Sequence, residues 1–153
     1  VNIFILDKCP IKSAQQSCDK HVVKMILESA QLLCSVYEKN TAPYKRTHYN
    51  HPCSIWVRES IDNFNWLITH AYALCEEYTK RYNKTHKSKA VIEWCENNKP
   101  NIPSIGLTKF AQAMPEEYKN KNVVKAYRDY YIGEKSHIAT WKTQVPKWFK
   151  KAI

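Results

Sequence analysis

Two glycines, Gly106 and Gly133, serve a chain of 153 residues. Glycine is the residue that most readily supplies the positive φ of two-residue hairpin turns. A chain this poor in it is not built as a stack of tight β-hairpins. What it offers instead is apolar residues at helical spacing. Pro10 suits the first turn of a helix, where its missing N–H does no harm. From there to about Glu38, Ala14, Cys18, Val22, Met25, Ser29, Leu32, Leu33 and Val36 form one apolar face. A second long helix is expected from about Ser54 to Tyr82, with Ile61, Phe64, Leu67, Ile68, Ala71, Leu74, Cys75 and Tyr78 in its stripe. A third covers about Ser88 to Asn97, and the prolines of "NNKPNIPSIG" end it. Thr108 is placed to cap a short helix through Met114, stopped near Pro115. Asn122 caps a last helix, "VVKAYRDYYIGEK", running past Gly133 to about Thr140. The tail, "WKTQVPKWFKKAI", reads as an ordered coil. Residues 1–6, "VNIFIL", are apolar at nearly every position and want burial on both faces, as an extended, tied-down segment. The expectation is an all-α fold, a single domain over residues 1–153, without repeat or linker.

A chain of this length buries roughly two-thirds of its unfolded surface, so it needs no metal or disulfide staple. Hydrophobic residues at 44% and charged residues at 25% are ordinary for a globular protein and exclude disorder. The formal net charge of +10 points to a polyanionic partner, nucleic acid first and an anionic membrane second. No apolar run approaches the roughly 18 residues of a membrane helix, and "VNIFIL" is too short for a signal peptide. The six cysteines, Cys9, Cys18, Cys34, Cys53, Cys75 and Cys95, are evenly spread and fall mostly at helical apolar positions. Buried free thiols in a reducing cytosol fit that distribution better than a disulfide framework. A zinc site from Cys18, His21, His48, His51 and Cys53 matches no familiar spacing, so neither a metal nor another cofactor is expected.

On the first helix Ser17, Lys20, His21, Lys24, Glu28, Gln31 and Ser35 share one side, with Val23, Leu27 and Ala30 beyond them. This polar stripe has two readings. One is a solvated face with Lys24 and Glu28 as an i,i+4 pair worth a few tenths of a kcal/mol. The other is the wall of a site. Three acid-free stretches hold the excess charge. Residues 39–53 carry Lys39, Lys45, Arg46, His48, Tyr49 and His51; residues 79–90 carry five cations with Tyr82 and His86. The tail carries Lys142, Lys147, Lys150 and Lys151 among Trp141, Trp148 and Phe149. Lysines track phosphates without reading sequence, and aromatics among them can stack on a base. The alternative for the tail is that Trp148 and Phe149 pin the C-terminus to the core.

The motifs "CDKHVVKMILESAQLL", "THYNHPCSIWVRES", "NFNWL", "LCEEYTKRYNKTHKS", "FAQAMPEEY" and "AYRDYYIGEK" resemble phage and viral proteins labelled pyrimidine-dimer DNA glycosylase, of the endonuclease V type. The resemblance implies a compact helical fold whose N-terminus threads between helices. It implies that the α-amine of the processed chain attacks C1′ of the damaged nucleotide, that an imine forms, and that β-elimination nicks the strand. A carboxylate near the start of the first helix assists, basic residues hold phosphates, and C-terminal aromatics help engage DNA. Double-stranded DNA with damaged or modified bases would be the partner of a monomer in the cytoplasm, that of an infected host cell if viral.

Several residues fit. The chain begins at Val1, and a valine there permits removal of an initiator Met. An α-amine titrates near 7.7–8.0 against about 10.4 for lysine, so roughly a fifth or more is neutral near pH 7.5. Val1 is then a usable imine-forming nucleophile; the alternative is that position 1 is an accident of numbering. Aligning "DKHVVK" with the family's basic–Glu–basic cluster puts Lys20 and Lys24 in the basic places and His21 where the carboxylate is expected. His21 would serve as a general base, with Asp19, Glu28 or Glu59 supplying negative charge. The expected catalytic residues are Val1, His21, Glu28 and Glu59. Those expected on DNA are Lys20, Lys24, Lys45, Arg46, His48, His51, Arg58, Trp141, Lys147 and Trp148. Asn50 and His51 are either ligand contacts or caps of the second helix, and Arg58 either pairs with Glu59 or holds a phosphate. Trp56, Trp66, His70, Tyr127, Tyr130 and Tyr131 read as core. Three functions remain: a DNA glycosylase with or without lyase activity, a pocket that cleaves or transfers a glycosidic bond in a modified nucleotide, and a nonenzymatic binder of nucleic acid or of a host factor. Indifference to the helix stripe, with affinity falling steeply with salt, would mark the last.

Overall fold

The computed structural model describes residues 1–151 and places helices where the apolar stripes lie, with two long stripes each broken once. The first stripe divides into α1 (Pro10–Gln15) and α2 (Asp19–Cys34), and the second into α3 (Pro52–Glu59) and α4 (Ile61–Tyr82). The remaining helices are α5 (Lys89–Asn97), α6 (Val123–Tyr130) and α7 (Lys147–Lys150). Among the described residues there is no strand, so the fold is all-α. None of these helices is long and apolar enough to cross a membrane.

The breaks have local causes. Between α1 and α2, Cys18 is extended, and its N–H meets the Tyr131 hydroxyl 3.2 Å away. The freed carbonyls of Gln15 and Ser17 accept from the guanidinium of Arg81, which also pairs with Asp19 and Glu77. At Ser60 the backbone is extended, and the side chain caps α4 by accepting from the Asp62 N–H. Both are interruptions by polar side chains within an unbroken apolar rhythm, which is why periodicity alone runs through them.

Three further expectations are corrected. The short helix from Thr108 does not form. Asn63 on α4 clamps that stretch instead: its Oδ1 accepts from the Thr108 N–H, and its Nδ2 reaches Trp56 O and Thr108 Oγ1. A residue held by its backbone N–H and hydroxyl from outside is not free to cap a helix. The last helix ends sooner than Thr140. After Tyr130 it widens into a π turn, Tyr131–Lys135, where Gly133 is packed so closely on the Tyr118 phenol that a Cβ would strike it. The tail is not all coil, since α7 lies in it and buries Phe149. Its last two residues fall outside the described part.

α1 and α2 lie along α4, and their facing sides make the core with Ile26, Leu32, Leu33, Phe64, Leu67 and Leu74. The N-terminal segment enters this core. Ile3, Phe4, Ile5 and Leu6 are all buried, and Phe4 stacks on His21 of α2. Phe4 O accepts from Ser13 Oγ of α1, and Leu6 O from Arg128 Nε of α6. Burying four such side chains contributes on the order of 1.5–3 kcal/mol each. That holds the segment extended without sheet partners.

Candidate active site

Val1 is the first residue of this segment. Its side chain is only 4% exposed while the residue as a whole is half-buried, so the exposed part is its main chain. The amino nitrogen lies 3.3 Å from Oε1 of Glu28, whose side chain is 11% exposed. The other oxygen, Oε2, is 3.7 Å from Lys24 Nζ. The expected Lys24–Glu28 pair therefore exists, but it is the outer half of a three-membered arrangement whose inner half is the amine.

Asn2 fixes the geometry. Its Nδ2 donates to Ala113 O at 2.8 Å, and its Oδ1 accepts from its neighbour Ile3 N–H and lies 2.8 Å from the Tyr127 hydroxyl. Cys53 Sγ lies 3.7 Å from the same oxygen. Burial pushes the Cys53 thiol up to about 12, so it stays protonated and is no competing nucleophile. Asn2 is a site-positioning residue that sequence reasoning passed over. The available signal was a lone amide in a run otherwise fit for burial.

The loop before α3 brings His51 within electrostatic reach of the amine. His51 caps α3, its Nδ1 accepting from the Cys53 N–H at 3.0 Å. Burial, then the Val1 ammonium and His48, lower its pKa, with Glu28 opposing. The ring is neutral near pH 7. With Nδ1 committed as an acceptor, its one proton sits on Nε2, so His51 offers the site a donor and not a base. Of its two expected roles, the cap is the one this contact supplies.

His21 packs against the N-terminal segment. It is 4% exposed, stacked on Phe4, with Nδ1 2.6 Å from the Tyr131 hydroxyl. Burial, then Lys135 and Lys24, lower its pKa to about 4. The carboxylate that meets the amine is Glu28, two turns further along the same side. Glu59 is exposed and accepts from the Thr108 hydroxyl, and no ion pair joins it to Arg58. Arg58 and Arg46 lie instead on the ring of Tyr49. Lys20 and Lys45 are exposed, Lys20 one turn before Lys24.

The tail residues gather elsewhere. Trp141 Nε1 donates to Gln16 O and Trp148 Nε1 to Gln16 Oε1, beside the Leu6 end of the N-terminal segment. Lys147 and Trp148 line an open groove of about 800 Å³ with Lys80 and Arg128. The structure thus joins Val1, Glu28 and Lys24 by contact, with His51 close enough to feel the charges of Val1 and Glu28, and leaves Lys147 and Trp148 on a separate groove. Among the described residues, no three His, Cys, Asp or Glu side chains converge to hold a metal ion, and all six cysteines are free.

A family model described as pyrimidine dimer DNA glycosylase matches residues 1–90. No significant match was found among curated proteins or among solved structures.

Proposed function

The chain belongs to the pyrimidine dimer DNA glycosylase family, and from that premise we propose that it excises damaged or modified pyrimidines from duplex DNA and nicks the abasic strand through an imine on Val1. The observation that carries the reading is the 3.3 Å approach of the Val1 nitrogen to a mostly buried carboxylate. In a chain whose first residue is Val1, Glu28 takes a proton from the ammonium and leaves a neutral amine. The amine nitrogen bonds to C1′ as the C1′–N bond to the base breaks, and the base leaves with the electron pair and picks up a proton. Glu28 passes its proton to O4′ as the C1′–O4′ bond opens, giving the protonated imine, whose positive charge the ionised Glu28 then faces. Loss of a proton from C2′ expels the 3′-oxygen and nicks the strand.

Around this centre Lys24 and the Nε2–H of His51 hold oxygens of the substrate and not reacting protons. A positioned base such as Glu28 contributes about 10²–10⁴ in rate, and a held near-attack geometry contributes as well.

Borohydride added to the protein with ultraviolet-irradiated or abasic duplex traps a covalent adduct at Val1, located by mass spectrometry. Glu28→Gln lowers trapping by about 10²–10⁴-fold. Absence of adduct on irradiated, abasic and base-modified duplexes overturns the reading. Base release that survives blocking of the amine, with no adduct, reassigns the site to glycosidic cleavage without lyase chemistry.

A further inference from the structure

Arg46 and Arg58 come from different elements, the loop before α3 and the last turn of α3, yet both lie on the ring of Tyr49. Their Cζ atoms are 4.2 and 3.8 Å from its centroid, so the two guanidiniums lie within 8 Å of each other. Each is also tied to a main-chain carbonyl, Arg46 Nη2 to Tyr37 O and Arg58 Nη1 to Tyr49 O, both at 2.5 Å. Among the described residues neither has a carboxylate partner: the other arginines, Arg81 and Arg128, each lie within 4.0 Å of one, and these two do not. Two like charges held on one ring without a counter-ion favour an external anion beside them.

The turn carrying Tyr49 also carries the site. His48 has a left-handed backbone, φ 49, and the His51 N–H returns to His48 O at 3.0 Å. Tyr49 therefore rides two residues from His51, which feels the charges of Val1 and Glu28.

We propose that Tyr49 is a positioning residue that holds Arg46 and Arg58 as a two-guanidinium clamp on the DNA backbone beside the nucleotide at the amine; this rests on the reading of the site as DNA-directed. Successive phosphates on one strand advance about 3.4 Å along the duplex axis, and planar guanidinium suits them bidentately. The ring holds each plane by cation–π contact. Tyr49 is 38% exposed and its hydroxyl has no part in the contact, so the ring alone is required.

The test is the salt dependence of affinity for undamaged duplex, measured by fluorescence anisotropy between 50 and 200 mM KCl, roughly the range over which phosphate contacts are read. Arg46→Met and Arg58→Met each flatten the slope of log K against log salt by about 0.9, the value for one phosphate contact. Tyr49→Leu flattens it as well, and Tyr49→Phe restores the wild-type slope. In an Arg46→Met, Arg58→Met background Tyr49→Leu has no further effect, because it acts through those groups. This cycle keeps the proposal falsifiable where Tyr49→Leu alone lowers the melting temperature. A wild-type slope in Tyr49→Leu, or an undiminished effect of it in the double-arginine background, overturns the proposal. Failure of wild-type borohydride trapping with these slopes intact would instead sink the glycosylase reading alone.

Discussion

His21 and His70 are imidazoles committed to the core, and their chemistry follows from that. His70 donates from Nδ1 to Pro10 O and stacks on Trp66, and His21 faces Tyr131 and Phe4. Burial lowers both from the ordinary 6.5 to about 4. Below the ordinary value the unfolded chain binds protons that the folded chain refuses, so folding loses stability as pH falls. From pH 8 to pH 5 each ring removes about 2 kcal/mol. His51 and His86 are lowered in the same direction and add to the trend. Urea unfolding at both pH values shows this loss in the wild type, and His70→Gln recovers about 2 kcal/mol of it. An identical pH response in that variant would contradict the assignment. Burial also separates two histidines of the candidate site: His21 is 4% exposed and packed on Phe4, while His51 is half-buried.

At the scale of elements, Arg81 is the corner piece. It reaches from the end of α4 to the junction of α1 and α2, satisfies two carbonyls there, and pairs with two carboxylates at 3.0 and 3.1 Å while its side chain is fully buried. Removing one partner from such a network leaves buried charge without compensation, and Arg81→Met costs about 3–5 kcal/mol. A urea titration reads this as a shift of midpoint. A shift below about 1 kcal/mol would mean the corner is held by the Cys18–Tyr131 contact instead. This corner also marks the limit of what the chain discloses by itself. Apolar spacing located α2, α4 and α5 and the buried N-terminal run, because burial of a stripe is a local property. It passed over the junctions at Gln16–Cys18 and Ser60, because those depend on side chains remote in sequence. Thr108 went the same way: a capping residue by type, it is drawn off by Asn63, 45 positions away.

Across the whole molecule, the part matched to the family ends at residue 90, yet the core does not. Tyr127 and Tyr131 are fully buried, Asp19 N–H donates to Thr140 O, and Arg128 and Trp148 hold Leu6 and Gln16. A fragment of residues 1–90 therefore lacks a cooperative melt by circular dichroism, whereas residues 1–151 melt in one transition; a sharp melt in the fragment would refute this dependence. The candidate site was legible in its residue types but not in its pairing. Lys24 and Glu28 were evident in the polar stripe of the first helix, and His48 and His51 in a basic loop with an aromatic. Which carboxylate meets the amine was not, since that depends on how far an extended segment travels past α2. Asn2 settles that travel. A nucleophile borne on the main chain has no rotamers to sample, so its aim is inherited from the segment behind it. Under the proposed chemistry, catalytic accuracy and core packing become one property: a substitution that lets Phe4 or Ile5 settle differently would misdirect the attack from several residues away, and selection for turnover would act directly on the hydrophobic interior.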